Sequence, residues 1–249
     1  RDVERSRGLG DVYKRQIQGK AFDETLDVED LMQEAEGKLF EISQRNVKKD
    51  VTQINPVIKD AMEMLQKAAL QKEGLSGLRT GFEGLDKMTS GWQNSDLIII
   101  AARPAMGKTA FVLSMAKNMA VNFNTPVALF SLEMSNVQLV NRLIVNVCEI
   151  PGEKIKSGRL ESYEWEQLDF KIKELYDAPI FVDDTPSLSV FELRTKARRL
   201  VREHGIKCII IDYLQLMNAS GMNFGSREQE VSTISRSLKG LAKELNIPI

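Results

Sequence analysis

The amino-terminal third of the chain contains two stretches in which apolar residues recur every three or four positions. The first follows Asp27, a residue type that caps helices, and comprises Val28, Leu31, Met32, Ala35, Leu39 and Ile42. The second covers residues 53–72 and comprises Ile54, Val57, Ile58, Ala61, Leu65 and Ala68. This spacing predicts two amphipathic helices, the second about 30 Å long.

Beyond residue 90 the pattern changes to short apolar runs that alternate with amphipathic stretches. The apolar runs predict strands at residues 97–101, 127–131, 179–182 and 207–211. The amphipathic stretches predict helices near residues 108–121, 136–148, 162–176, 190–203 and 227–245. Buried strands that alternate with helices are typical of an α/β fold, in which helices cover both faces of a mainly parallel sheet.

Between these two regions glycine is frequent: Gly74, Gly77, Gly81, Gly84 and Gly91 lie close together. Such punctuation indicates a domain boundary or an irregular entry to the next domain. At the start of the chain, residues 1–16 have no clear apolar period and are rich in Arg and Gly. We expect that segment to be disordered or foreign to the fold.

The strongest chemical signal is a phosphate-binding loop between a predicted strand and a predicted helix. It consists of Ala102, Arg103, Pro104, Ala105, Met106, Gly107, Lys108 and Thr109. In the GxxxxGK[ST] motif, backbone N–H groups surround the phosphates, the Lys supplies a positive charge and the Thr hydroxyl is a ligand for Mg²⁺. Ala102 replaces the first glycine, which requires only that the backbone there avoid positive φ.

Two acidic residues follow other predicted strands at the same edge of the sheet. Asp212 ends the run 207–211, where open α/β sheets bind ligands, and is a candidate for the Mg²⁺ shell. Glu133 stands two residues beyond the strand 127–131 and is a candidate to activate the attacking water. Each also has an ordinary interpretation: Asp212 as a strand end, and Glu133 as a residue of the first helical turn. Tyr213 occupies the position after Asp212, where many motor ATPases have Glu.

At these residues the chain resembles the bacterial replicative DNA helicases of the DnaB type. The resemblance covers roughly residues 17–249. Its segments are RTGF (79–82) with Leu85 and Asp86, AARPAMGKTAF (101–111), FSLEMS (130–135), IIIDYLQLM (209–217) and SREQEVSTISRSLKGLAKELNIP (226–248). It implies a RecA-like P-loop NTPase that assembles as a homo-hexamer around single-stranded DNA. It further implies ATP-driven 5′-to-3′ translocation, duplex unwinding at the replication fork, and contacts with primase and a helicase loader.

The resemblance also assigns roles and domains. Lys108 and Thr109 hold ATP and Mg²⁺, Asp212 is the metal carboxylate and Glu133 activates water.

Residues 17–50 correspond to the end of a helical amino-terminal domain, 51–76 to a linker helix that docks on the neighbouring subunit, and 77–249 to the motor domain. Packing of the linker helix on its own domain is the alternative. The family's sensor Gln, DNA-contacting loop and arginine finger are expected beyond Ile249. The chain alone should therefore bind ATP weakly and hydrolyse it negligibly.

Composition removes several other classes of protein. The net charge of −1 does not fit a protein that coats DNA, and a single histidine, His204, leaves too few ligands for a zinc site. The longest apolar run is too short to cross a membrane, and no signal peptide is visible. Cys148 and Cys208 are expected to be buried thiols in a reducing compartment, which favours the cytoplasm.

Two weaker signals concern DNA. Arg194, Arg198 and Arg202 share one face of a predicted helix, which is more typical of a solvated or ion-paired surface than of a DNA path. The polar loop 218–226 follows the Asp212 strand and is either close to DNA or an ordinary connector. Two other functions remain open: a different RecA-like ATPase such as a recombinase, or a nucleotide-gated assembly module.

Overall fold

The computed structural model describes residues 54–70, 75–218 and 226–249. The predictions for residues 1–16 and 17–50 lie outside the described residues. Helix α1 (Ile54–Leu70) lies within the predicted linker helix. Its exposed apolar residues include Ile54, Ile58, Met62 and Leu65. No described helix is long and apolar enough to serve as a membrane span.

The elements that follow alternate as the sequence predicts. The helices are α2 (Glu83–Thr89), α3 (Lys108–Lys117), α4 (Asn136–Cys148), α5 (Gly152–Ser157), α6 (Ser162–Lys171), α7 (Lys173–Tyr176), α8 (Val190–His204) and α9 (Arg227–Leu245). The strands are β1 (Val127–Ser131), β2 (Ile180–Asp183) and β3 (Cys208–Asp212). A π-helical turn (Asn118–Asn122) prolongs α3, and a 3₁₀ turn (Leu214–Leu216) follows β3.

The three strands form a parallel sheet in the order β2-β1-β3. In this register Val127 pairs with Ile180 on one side and with Cys208 on the other, and Ser131 pairs with Asp212. The carboxyl ends of all the strands therefore lie at one edge. A parallel sheet covered by helices confirms the predicted fold class.

The predicted strand at residues 97–101 is wrong in detail, because no strand is assigned there. Instead, Ile98 donates a backbone hydrogen bond to Ile249, and Ile249 donates one to Asp96. The Pro248 carbonyl in turn accepts a hydrogen bond from the Ile209 N–H of β3. The segment before the phosphate loop is thus joined to β3 through residues 247–249. Lys239 of α9 reinforces this attachment with bonds of 2.9 Å to the Ser95 carbonyl and to Asp96 Oδ1.

Alternate positions of β1 point to opposite faces of the sheet, each covered by a hydrophobic core. On one face Phe130 packs with residues from α8 and α9, among them Leu193, Ile234 and Leu238. On the other face Leu129 packs with residues from α3 and α4, among them Leu113, Leu139 and Leu143. Both cysteines are buried free thiols, as predicted, and burial raises the pKa of Cys208 to about 12.

The basic face of α8 is partly neutralised by α9. Arg194 lies 2.5 Å from Glu244, and Arg198 contacts the same carboxylate. Arg202 is paired with the adjacent Glu203 and remains largely exposed. This pairing favours the structural interpretation of the basic helix over a DNA path.

Candidate nucleotide-binding site

Three predicted site residues are in direct contact at the carboxyl edge of the sheet. Lys108 Nζ lies 2.7 Å from Asp212 Oδ1, and the Thr109 hydroxyl donates a 2.7 Å hydrogen bond to Asp212 Oδ2. The Asp212 side chain is only 4% exposed, whereas that of Lys108 is 25% exposed. The site thus has a buried carboxylate beneath a cation that solvent can reach.

The order of the elements explains this convergence. Asp212 is the last residue of β3, and Lys108 is the first residue of α3. Residues 96–98, which lead into α3, are joined to β3 through Pro248 and Ile249. The loop that follows them therefore turns over the end of β3, although the chain between Lys108 and Asp212 includes two strands.

The phosphate loop borders a cavity of about 860 Å³ at this edge. Seven of the eight predicted loop residues line the cavity, namely Ala102, Arg103, Pro104, Ala105, Gly107, Lys108 and Thr109. Met106 does not, and its side chain is 73% exposed. Ala105 and Gly107 have positive φ of 62° and 89°, whereas Ala102 does not. The replacement of the first glycine is therefore compatible with the loop's backbone.

Glu133 lines the same cavity, on a short turn between β1 and α4. The Leu132 N–H donates a 2.8 Å hydrogen bond to the Asp212 carbonyl, which fixes the start of the turn beside β3. The buried Ser131 hydroxyl donates to the Met134 carbonyl at 2.8 Å and accepts from the Met134 N–H at 3.1 Å. These bonds close the turn around Glu133. No described residue forms a hydrogen bond or ion pair with the Glu133 carboxylate.

The residues at the site fit a magnesium ion with a bound triphosphate. Asp212 Oδ1 is buried and accepts no hydrogen bond from the described residues, because the contact with Lys108 is an ion pair without hydrogen-bond geometry. Within the described parts of the chain no group of three His, Cys, Asp or Glu residues converges. Mg²⁺ takes one or two protein ligands and completes its shell with phosphate oxygens and water, and the adjacent oxygens of Thr109 and Asp212 fit that requirement.

Two further residues at the site are not evident from motif reasoning. The Tyr213 ring lies under Lys108, with Nζ 4.0 Å from the ring centroid. Arg142 of α4 also lines the cavity. The position of Tyr213 next to Asp212 was a possible signal for the first. Nothing in the local sequence of Arg142 distinguishes it from a solvated helical arginine.

Comparison with known proteins decides the family. The model of the DnaB-like helicase C terminal domain matches residues 77–249, well over half of the chain. The chain belongs to this DnaB-like helicase family. The resemblance stated from the motifs is therefore confirmed.

Individual members of the DnaB-like family support this assignment. The chain is 44% identical over 223 residues to the replicative DNA helicase DnaB of Geobacillus stearothermophilus, covering 90% of this chain and 49% of that protein. The chain thus spans about half the length of this curated relative. Among solved structures, an ATPase domain superposes with a TM-score of 0.73 at 36% identity, covering 80% of this chain and 70% of that one.

A second solved structure is that of a DnaB-like replicative helicase, described together with its interactions with primase. It is 33% identical with a TM-score of 0.69, and the match covers 98% of this chain and 56% of that one. Both structural neighbours have the RecA-like ATPase fold, which agrees with the parallel sheet and the phosphate loop.

Proposed function

We propose that the chain is the ATP-hydrolysing motor of a replicative DNA helicase, which moves 5′ to 3′ along single-stranded DNA and unwinds the duplex at the replication fork. The observation that supports this best is the meeting of Lys108, Thr109 and Asp212 at the carboxyl edge of the sheet, within contacts of 2.7 Å. These are the groups that a motor of this class needs to hold a magnesium-bound triphosphate.

In this proposal each group has a separate task. The loop N–H groups and the amino-terminal end of α3 bind the phosphates, since both direct positive partial charge toward an anion. Lys108 neutralises phosphate charge, while Thr109 and Asp212 hold Mg²⁺. When bound, the ion polarises the phosphate oxygens and offsets developing negative charge.

Glu133 is proposed to accept a proton from the attacking water. It faces the cavity and has no described partner that competes for its carboxylate. Its turn is joined to Asp212 by the hydrogen bond from the Leu132 N–H, which fixes the position of the proposed base relative to the metal carboxylate.

We further propose a homo-hexameric ring around single-stranded DNA, with primase and a helicase loader as partners. Residues 51–76 would supply a linker helix to the neighbouring subunit, and residues 77–249 the motor. The exposed apolar side chains of α1 support docking on another surface, because an isolated helix must bury such a face. Turnover by the chain alone should be slow, since rings of this class take an arginine finger from an adjacent subunit and gain about 10³–10⁵ in rate from it.

The nucleotide site can be tested with this chain by titrating a fluorescent ATP analogue in the presence of Mg²⁺. Lys108→Ala should weaken binding by at least about tenfold, because a charged contact to phosphate is lost. Lys117→Ala is the matched control, since Lys117 is on the same helix but does not line the cavity. Unchanged ATP affinity in Lys108→Ala, with normal circular dichroism, would refute the proposal.

Strand separation distinguishes this function from the alternatives. The full-length protein is expected to unwind a forked duplex with a 5′ single-stranded arm, and not one with only a 3′ arm. A recombinase would instead bind the strands without unwinding the fork. A nucleotide-gated assembly module would change its sedimentation with ATP yet separate no strands.

A further inference from the structure

Asp184 is an acidic residue beyond the carboxyl end of β2 that has no task in the hydrolysis proposed so far. It follows Asp183, the last residue of β2, which pairs with Phe130 of β1. Its carboxylate accepts two hydrogen bonds from Asn136, one of 2.8 Å from the backbone N–H to Oδ2 and one of 2.9 Å from Nδ2 to Oδ1. Asn136 is the first residue of α4, three positions after Glu133. Asp184 therefore contacts the chain just beyond the turn that carries the proposed base.

The two adjacent carboxylates at the end of β2 hold helices on opposite faces of the sheet. Successive residues of an extended chain point to opposite sides. Asp183 accepts a 2.8 Å hydrogen bond from Lys196 of α8, which covers the face to which Phe130 points. Asp184 bonds to α4, which covers the face to which Leu129 points. Of these two neighbours, only Asp184 is joined to the start of α4.

The cap of α4 is complete without the Asp184 side chain. Ser135 forms a capping box with Gln138, in which the Ser135 hydroxyl accepts from the Gln138 N–H and the Gln138 side chain accepts from the Ser135 N–H. The bond from Asn136 Nδ2 to Asp184 satisfies no backbone donor of the helix. Together with the backbone bond from the same residue, it constrains both the distance and the direction of the helix start relative to β2.

The turn around Glu133 is thus held at the carboxyl end of each described strand. The Ser131 hydroxyl at the end of β1 closes the turn, and the Leu132 N–H joins it to the end of β3. Asp184 supplies the corresponding attachment to β2. A general base must lie within hydrogen-bond reach of the water that it deprotonates, so these attachments bear on hydrolysis.

We propose that Asp184 positions Glu133 for hydrolysis by holding Asn136 at the start of α4. Asp184 does not line the nucleotide cavity, so it acts through Asn136 and not on the nucleotide itself. It is therefore a positioning residue. This inference rests on the proposed function, in which Glu133 accepts a proton from the attacking water.

The first test compares hydrolysis with nucleotide binding in the full-length protein. Asp184→Ala removes both bonds to Asn136 and should slow single-turnover hydrolysis about 10–100-fold, since a displacement of about 1 Å can cost about 100-fold. The affinity for a fluorescent ATP analogue with Mg²⁺ should change less than about twofold. Asp183→Asn is the matched control, because it removes the adjacent charge, which is bonded to Lys196 and not to the start of α4. It should leave the hydrolysis rate within about twofold of the parent.

An exchange of the two side chains separates positioning from a general loss of stability. Asn136→Asp places two carboxylates against each other and should slow hydrolysis as Asp184→Ala does, because like charges repel. Adding Asp184→Asn to this variant restores the pair in reverse. The introduced amide can donate to the introduced carboxylate and still accept from the backbone N–H of residue 136. The double variant should therefore hydrolyse at least about tenfold faster than Asn136→Asp alone.

Three results would overturn the assignment. These are hydrolysis by Asp184→Ala as fast as by Asp183→Asn, a loss of ATP affinity as large as the loss of rate, or a double variant no faster than Asn136→Asp. Glu133→Gln distinguishes this inference from the proposed function. If Glu133→Gln abolishes hydrolysis while Asp184→Ala does not slow it, only the role of Asp184 fails. If Glu133→Gln hydrolyses ATP at the parent rate, the proposed catalytic role of Glu133 is itself wrong.

Discussion

The hydroxyl of Thr109 donates a 2.7 Å hydrogen bond to Asp212, although 103 positions separate the two residues. The bond joins the start of α3 to the end of β3. Asp212 also carries the ion pair with Lys108, so one buried carboxylate contacts both Lys108 and Thr109. Changes to this carboxylate should therefore affect the metal and the nucleotide differently.

Asp212→Asn should remove most of the effect of magnesium on ATP binding. Asn retains the size of the side chain but lacks the charge that attracts the ion. We expect Mg²⁺ to strengthen ATP binding by about tenfold less in the variant than in the parent chain. In EDTA the variant should bind ATP at least as tightly, because the repulsion between carboxylate and triphosphate is gone. Titrations with and without Mg²⁺ check this; an equal magnesium effect in both proteins would contradict it.

Ser131→Ala should slow hydrolysis without weakening nucleotide binding. The Ser131 hydroxyl makes both hydrogen bonds that close the turn around Glu133, and a displacement of about 1 Å can cost about 100-fold in rate. We expect single-turnover hydrolysis by the full-length protein, with protein in excess over labelled ATP, to fall about 10–100-fold.

Ser135→Ala provides the comparison for Ser131. Ser135 caps α4 through Gln138, and its loss should cost about 1 kcal/mol of stability while leaving the Glu133 turn closed. Glu133→Gln sets the floor of the hydrolysis assay. A rate for Ser131→Ala equal to that of Ser135→Ala would show that the turn does not position Glu133.

Gly107→Ala should weaken ATP binding, whereas Ala105→Gly should leave it unchanged. Gly107 has a φ of 89°, which costs an L-residue about 1–2 kcal/mol, although no atom lies within 4 Å of an added Cβ. We expect Gly107→Ala to weaken ATP binding by about tenfold. Ala105 already tolerates a φ of 62°, so Ala105→Gly should bind ATP as tightly as the parent chain. Equal losses in both variants would exclude backbone strain as the cause.

The contribution of Glu244 to stability should depend on pH. Burial raises the pKa of this carboxyl, but hydrogen bonds from Arg198 and Arg194 outweigh burial and hold it below the ordinary 4.5. A lowered pKa in the folded state stabilises the protein at pH values above 4.5, and this stabilisation is lost as the pH falls through the lowered value.

Glu244→Gln should therefore unfold at lower urea concentration than the parent chain at neutral pH. The difference should disappear in acid, below the lowered pKa of Glu244. Urea titrations across the acidic range test this. Since Asp183, held by Lys196, also has a lowered pKa, the Glu244→Gln variant should keep some acid sensitivity. If the two proteins still unfold at different urea concentrations at the acidic end, the stabilisation does not come from the ionised Glu244 carboxyl.

Most helices and strands could be predicted from local signals. Helices α4 and α9 begin directly after Ser135 and Ser226, whose side chains cap them, and both have the predicted bounds. Strand β1 is apolar at four consecutive positions and buried throughout, so its pattern was unambiguous. Local propensity and burial agree in these elements, and no distant contact was needed to place them.

The run at residues 97–101 shows where this reasoning fails. An apolar pattern indicates burial but does not identify the neighbour that must supply backbone hydrogen bonds. Here Ile98 bonds to Ile249 instead of to β3, and no strand is assigned to the rest of the run. Pairing of this kind depends on residues far apart in the chain.

Some residues of the candidate site could likewise be predicted from local sequence, and others could not. Lys108, Thr109 and Asp212 belong to motifs whose residue types and spacing predict their chemistry. Such spacing could not predict three other features: the turn closed by the Ser131 hydrogen bonds, the ring of Tyr213 beneath Lys108 and the location of Arg142 on the cavity wall. They follow from the packing of α3 against α4 and from the ends of the parallel strands, which only the folded chain determines.

The attachment of the segment before the phosphate loop has a mechanical consequence. Lys239, Asn246 and Ile249 all bond to residues 95–98, whereas no described hydrogen bond joins those residues to β3 directly. The end of α9 and the residues after it therefore hold the entrance of the phosphate loop in place. A displacement of α9 would reach residues 95–98 through these bonds, and β3 would share it through the bond between Ile209 and Pro248.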